Sequence, residues 1–309
     1  MNVLYAENPS EKEILSFDLE NIPTAKNALH GVGRRQSSRM TLSENTYYSQ
    51  KASHEFMSVS QFKNFQKCEA AAMAELYGAY TPERGRALIL GNYVDEMLLG
   101  TIESQERFIE ENRGELFKKN GEPYADVAQA DETIIRVRQQ PKMVEYLSGE
   151  HQVIMTGEIE GVPFKIKMDS YMPGQFISDL KYMASLRSPN LFQPMINYWG
   201  YDIQAACYQE IVRQNTGERL PFMFVVATKE KPAHLAVGEI NQWNMDEALE
   251  TVRKKIKRFQ AIKNGEIEPE RCEEYGCDYC TTTKIIIAPI DTDWFGMSRE
   301  QIRIAKGEI

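Results

Sequence analysis

The sequence predicts an α/β fold with a mixed central β-sheet flanked by helices. Three observations predict it. Apolar residues recur at helical spacing in segments before residue 147 and after residue 200. Between them, HQVIMTGEIEGVPFKIKMDSYMPGQFISDLKYM (His151–Met183) alternates apolar and polar residues, with turn signals at Glu160-Gly161 and Pro173-Gly174. Farther on, PFMFVVATKE (Pro221–Glu230) is a nearly continuous apolar run, the mark of a strand buried on both faces.

Residues 1–50 mix polar and charged side chains without sustained periodicity and read as a flexible N-terminal tail, with Met40 as an alternative start. Order is expected from near Met57. Ser60 is the expected N-cap of one helix through QFKNFQKCEAAAMAELYG, with Phe62, Phe65, Met73 and Leu76 near one face and Cys68 within it. A second helix is expected across ALILGNYVDEMLLGT (Ala87–Thr101), and a third helical region from Tyr124 to Leu147. The alternating segment then reads as three antiparallel strands in a meander. A helix follows over YDIQAACYQEIVRQNTG, ending at Gly217, then the strand PFMFVVATKE and a further strand, HLAVGEI.

The last long helix is expected to start at Asn244, with Met245, Leu249, Val252, Ile256, Phe259 and Ile262 along one face. Its acids (Asp246, Glu247, Glu250) come early and its bases (Lys254, Lys255, Lys257, Arg258) late, as the helix dipole favours. Residues 51–290 are thus read as one domain and 291–309 as a C-terminal tail.

Composition narrows the class of protein. Of 309 residues, 42% are hydrophobic, enough for a sizeable core. No run approaches the ~20 apolar residues that span a bilayer. The N-terminus lacks a basic segment followed by an apolar one, so the chain reads as a soluble, cytoplasmic protein with no membrane partner. The net charge of −9 argues against a general coat for nucleic acid, whose affinity comes from neutralising phosphates. It leaves room for a carboxylate site, because bound cations offset acidic charge locally.

Such a site can be read between the second and third strands of the meander. In a strand, residues i and i+2 face the same side, so Asp179 and Lys181 project together. If the two strands pair across MPGQ, Asp169 lies beside Asp179. Two carboxylates beside an ammonium suit Mg2+ or Mn2+, which prefer oxygen ligands and keep positions for water and a phosphate oxygen. Lys181 is placed to position water or to offset charge on a phosphate. Taken alone, this D-x9-D-x-K pattern also suits an ordinary wet strand face.

The order of motifs resembles the PD-(D/E)XK nuclease superfamily, in its RecB/RecE-like, phage-type exonuclease branch (exodeoxyribonuclease VIII-like). ALILGNYVDEMLL, KMDSY, FISDLKYM and YDIQAACYQEI follow that family's sequence of elements. The resemblance implies a restriction-endonuclease-like core in which Asp95, Asp169, Asp179 and the carbonyl of Leu180 bind metal. It gives Lys181 a catalytic role, and Gln204 and Tyr208, at Q-x3-Y spacing, a substrate-contacting or bracing one. Asp95 stands where many relatives have His; Glu96 and Glu158 are nearby alternatives.

The activity implied is metal-dependent hydrolysis of DNA, from double-stranded ends during phage or prophage recombination. A single-strand annealing protein as partner and association into a ring come with the same resemblance. A single-strand or structure-specific nuclease of CRISPR-adaptation or repair type, and an inactive DNA-binding scaffold, stay open beside it. So do DNA contacts by the basic stretch GVGRRQSSR, by Lys229 and Lys231, and by the bases of the last helix.

Clustered cysteines in a reducing compartment suggest metal, not disulfides. Cys272, Cys277 and Cys280 form C-x4-C-x2-C, one ligand short of the usual four. Relatives join an upstream cysteine, here Cys68, to three C-terminal ones around a [4Fe–4S] cluster, and the departure in spacing leaves Zn2+ as the alternative. Closing the loop from Cys68 to Cys272 would restrict the unfolded chain by on the order of 5 kcal/mol, the action of a structural staple. Cys207 reads as a small packing residue, and His30, His54, His151 and His234 show no ligand spacing.

Overall fold

A computed structural model of the protein describes residues 41–83, 85–272, 276–285, 297 and 299–307. The basic stretch Gly31–Arg39, Met40 and His30 lie outside them. Five strands form one sheet in the order β1-β2-β3-β4-β5: β1 (Glu150–Ile159), β2 (Val162–Met172), β3 (Phe176–Met183), β4 (Phe222–Thr228) and β5 (Leu235–Glu239). β1, β2 and β3 make the expected antiparallel meander, β4 runs parallel to β3, and β5 returns antiparallel to β4. The parallel pair needs a crossover, which the segment carrying the helix over Tyr201–Thr216 supplies.

Alternation along β4 sorts the core into two layers. Phe222, Phe224 and Val226 join one cluster and Val225 and Ala227 the other, so both faces are covered. Before the sheet come α1 (Glu44–Tyr47), α2 (Gln50–Glu55), α3 (Val59–Lys67), α4 (Glu69–Leu76), α5 (Arg86–Leu99), α6 (Ile102–Glu111), α7 (Arg113–Leu116), α8 (Ala125–Arg138) and α9 (Pro141–Tyr146). After β3 come α10 (Met195–Tyr198), α11 (Tyr201–Thr216), α12 (Gln242–Lys263), α13 (Asp278–Thr282) and α14 (Arg299–Ala305). α3, α11 and α12 cover the first face through Phe62, Phe65, Ile211, Val252, Ile256 and Phe259. α5, α8 and α9 cover the second through Leu90, Val94, Val127, Ile134 and Met143.

The structure corrects several boundaries. The helix expected over residues 60–78 is two helices broken at Cys68, whose backbone is extended (φ −163°, ψ 111°). Cys68 is the N-cap of α4, its sulfur accepting the Ala71 N–H. The N-cap of α3 is Ser58, not Ser60, because its side chain is the one that accepts the Gln61 N–H. α12 starts two residues earlier than expected, at Gln242, capped by Asn241. The region from Tyr124 splits where Pro141 opens α9. Regular structure begins ahead of Met57, in α1 and α2. Among the described residues, no helix is long and apolar enough to cross a membrane.

Candidate active site

Asp95, Asp169, Asp179, Leu180, Lys181, Gln204 and Tyr208 all line one cleft of about 730 Å³. They arrive from α5, β2, β3 and α11, so segments up to 113 positions apart in sequence (208 − 95) meet at one place. Of the alternatives, Glu96 lines the cleft too, its carboxylate taken by the Ser104 hydroxyl. Glu158 is paired opposite Pro163, near the other end of β1, and is not among the lining residues.

The sheet is irregular where Asp169 sits. Phe164, Ile166, Met168 and then Tyr171 all join the same core, so the alternation of β2 slips by one between Met168 and Tyr171. Opposite Asp169 on β1 stands Gln152, unpaired in the ladder and in the left-handed region at φ 56°. Non-glycine residues adopt that conformation at a cost, and it interrupts the ladder opposite Asp169 without shifting its register. On the other side the β2–β3 ladder ends at Ser170 and Ser178. Asp169 Oδ2 there accepts the Leu180 N–H at 3.0 Å, occupying a donor released where the ladder stops.

On β3, Asp179 is 2% exposed and forms an ion pair with Lys181. Its Oδ1 accepts a hydrogen bond from Gln204 Nε2 at 2.5 Å, whereas Oδ2 faces the Lys181 ammonium. Tyr208, one turn beyond Gln204 on α11, donates to the carbonyl of Lys167 at 2.9 Å. Gln204 and Tyr208 therefore hold β3 and β2 against α11.

Burial, reinforced by Asp179 and Asp95, holds the Asp169 carboxyl well above the usual carboxylate range. Asp95 is pushed up to about 7 by burial, with Asp179 and Glu96 adding to it and Lys181 opposing. Burial alone would lower Lys181, but the charges of Asp179 and Asp169 outweigh it and the net shift is upward. Asp95, Asp169 and Asp179 thus crowd around the Lys181 ammonium, with like charges raising each of the first two.

A set of carboxylate oxygens from Asp95, Asp169 and Asp179 lining one cleft is the hard donor set that fits a divalent cation. Among the described residues, the potential ligands whose atoms all lie within 4.8 Å of one another are Cys68, Cys272, Cys277 and Cys280. The cysteines from the two ends of the chain do meet. Cys207 is buried in the core, as its packing role requires.

Two neighbours of the site escaped the sequence reading. The ring of Tyr201 carries the ammonium of Lys181 at 5.0 Å and that of Lys63 at 5.5 Å from its centroid. Lys63, on α3, is pulled down to about 8 by burial, then by Lys181 and Lys67. Nothing in the local pattern of SVSQFKNFQK marks it, since only the packing of α3 against α11 brings it there. Two bases of α12 prove to be engaged: Lys257 pairs with Glu160 at 3.0 Å and Arg258 with Glu69 at 2.7 Å. Lys229 donates to the carbonyl of Ala87 and lies over the ring of Tyr182.

Comparison with known proteins bears on the family and the fold. Residues 58–283 match the family described as a PDDEXK-like domain of unknown function (DUF3799). The fold is similar to the crystal structure of a "putative exonuclease" from Eubacterium rectale, at 41% identity and a TM-score of 0.78, covering 84% of this chain and 100% of that one. A second solved structure, SSO0001, aligns at 12% identity over 63% of this chain and 84% of its own; its TM-score of 0.25 carries no argument. No curated protein matches. The chain belongs to the PDDEXK-like DUF3799 family, with the mixed, helix-flanked sheet that its sequence predicts.

Proposed function

We propose that this protein is a metal-dependent DNA nuclease, acting as an exonuclease on double-stranded ends. The observation that carries the reading is the convergence of Asp95, Asp169, Asp179 and Lys181 in one cleft from three separate elements. A Mg2+ or Mn2+ ion held by the aspartates would supply Lewis acidity and lower the pKa of bound water. Lys181, its charge held by Asp179 and Asp169, places a fixed ammonium where a scissile phosphate gathers negative charge. Gln204 orients the Asp179 carboxylate, and Tyr208 ties α11 to the strand that bears Asp169.

The preference for ends is supported by the Eubacterium rectale relative, named as an exonuclease. A recombination role beside a single-strand annealing protein, and a ring-shaped oligomer, rest on the family resemblance alone. We further propose that the four cysteines hold a metal that clamps the α3–α4 junction to the segment after α12.

End-labelled linear, nicked and circular duplexes, incubated with Mg2+ or Mn2+, test the reading together. Linear DNA should be shortened progressively while circular DNA survives, and Asp179→Ala or Lys181→Ala should abolish the activity. Cutting of circles would turn the assignment to an endonuclease, and exclusive attack on single strands to a repair-type enzyme. Full activity in both variants would remove the proposed centre.

A further inference from the structure

We propose that Cys68, Cys272, Cys277 and Cys280 bind a single tetrahedral zinc ion, not an iron–sulfur cluster. The inference deepens the reading of these cysteines as a metal clamp and is independent of the nuclease assignment.

The spacing of the sulfurs decides between the two. All four Sγ atoms lie within 4.8 Å of one another, and those of Cys68 and Cys280 are 3.5 Å apart. One zinc ion with Zn–S bonds of about 2.3 Å sets its four sulfurs about 3.8 Å apart by tetrahedral geometry. A [4Fe–4S] cube binds each thiolate to a different iron, so its own core holds the sulfurs roughly 6 Å apart. The observed set brackets the first distance and falls short of the second.

The backbone resists the expansion that a cluster would need. Ala70 donates its N–H to the carbonyl of Glu270 at 3.0 Å, joining the two segments two residues from Cys68 and from Cys272. Glu69 reinforces the join: its carboxylate accepts the Glu270 N–H at 2.9 Å and the guanidinium of Arg258 at 2.7 and 2.9 Å. The segments bearing Cys68 and Cys272 are thus stapled together immediately beside the site.

Local donors suit thiolates on one ion. Cys68 Sγ accepts the Ala71 N–H at 3.4 Å, and Cys272 Sγ accepts the Cys277 N–H at 3.3 Å. Cys277 caps α13 and Cys280 sits in its first turn, so C-x2-C presents both sulfurs from one helix start. Arg271 donates to the carbonyl of Cys280 at 3.0 Å, placing a cation beside a centre that would carry net negative charge. Cys68 and Cys280 are buried and Cys272 and Cys277 half-buried, and four cysteine ligands leave no open position, the closed form of structural zinc.

The test is metal analysis of the full-length protein purified without added metal or chelator. About one zinc per chain and a colourless solution are expected, and replacement by cobalt should give the intense visible bands of a tetrahedral thiolate site. Titrating the native thiols with a mercurial in the presence of a zinc-sensitive dye should release that zinc. This measurement holds even where Cys68→Ser or Cys277→Ser fails to fold. Asp179→Ala should keep the same zinc content, so a failure of the nuclease reading would leave this result unmoved. Brown protein with iron and acid-labile sulfide in comparable amounts overturns the proposal, as does gently purified protein free of metal.

Discussion

Gln204 on α11 donates its side-chain amide to Oδ1 of the buried Asp179 on β3, at 2.5 Å. Oδ2 of the same carboxylate faces the Lys181 ammonium, so Gln204 and Lys181 together fix how Asp179 is turned in the cleft. Partners of this kind, one bond removed from a metal, are worth about 10–100-fold in affinity or activity. Gln204→Ala should therefore lower cleavage about that much and raise the Mg2+ concentration needed for half-maximal rate. Equal metal dependence in wild type and variant would show that Gln204 does not orient Asp179.

Asp95 brings a third carboxylate to the cleft from α5. A carboxylate is a hard oxygen ligand suited to Mg2+, whereas imidazole is better matched to softer ions. Asp95→His should keep measurable cleavage but shift the preferred ion from Mg2+ toward Mn2+, whereas Asp95→Ala should lose most activity with either. Titrating rate against each metal separates the cases. A histidine variant as dead as the alanine one would count against Asp95 as a ligand.

The raised pKa of Asp95 makes stability depend on pH. Burial holds the folded carboxyl at about 7, whereas an unfolded aspartate titrates near 3.9. Between these values the folded state binds more protons than the unfolded one, so stability falls as pH rises from about 4 to about 7. Asp95→Asn abolishes that loss. In thermal melts without added divalent cation, the variant should melt roughly 2–6 °C above wild type at pH 8. The gain should vanish near pH 4. A gain independent of pH would place its cause elsewhere.

Lys263, 5% exposed on α12, donates to the carbonyls of Ser53 and Phe56 at 2.9 and 3.0 Å and to Gln61 Oε1 at 2.8 Å. Burial, with Lys165 nearby, pulls it down to about 7, yet three acceptors call for all three protons of the ammonium. We take it as charged. Lys263→Met would leave the Phe56 carbonyl and Gln61 Oε1 without this donor, at about 1–3 kcal/mol each, while the Ser53 carbonyl keeps the Gln61 amide. Urea denaturation should show a loss of about 2–4 kcal/mol with cleavage chemistry intact in the folded fraction. A loss below ~0.5 kcal/mol would mean that water takes over these contacts.

Much of the architecture was legible because burial imposes periodicity on the chain. The alternation in His151–Met183 and the apolar run of β4 revealed the sheet, since each face must be covered. The break at Cys68 was not legible. QFKNFQKCEAAAMAELYG keeps helical spacing throughout, and the extended residue comes from a cysteine sulfur capping α4 while meeting Cys280. Gln152 was equally silent, as its left-handed backbone answers to the slip in β2 beside Asp169.

By itself, then, the sequence determined the candidate residues: Asp95, Asp169, Asp179, Lys181, Gln204 and Tyr208 stand out by type, order and spacing. Tertiary structure alone decided how they meet. Spacing along a strand puts Asp179 beside Lys181, but the oxygen that Gln204 holds depends on where α11 packs. Lys63 joins Tyr201 and Lys181 only because α3 crosses the same face. The distance between Cys68 and Cys280, the quantity that separates one ion from a cluster, likewise follows from packing and not from spacing. Local chemistry names the groups, whereas long-range packing sets the ångströms on which their function turns.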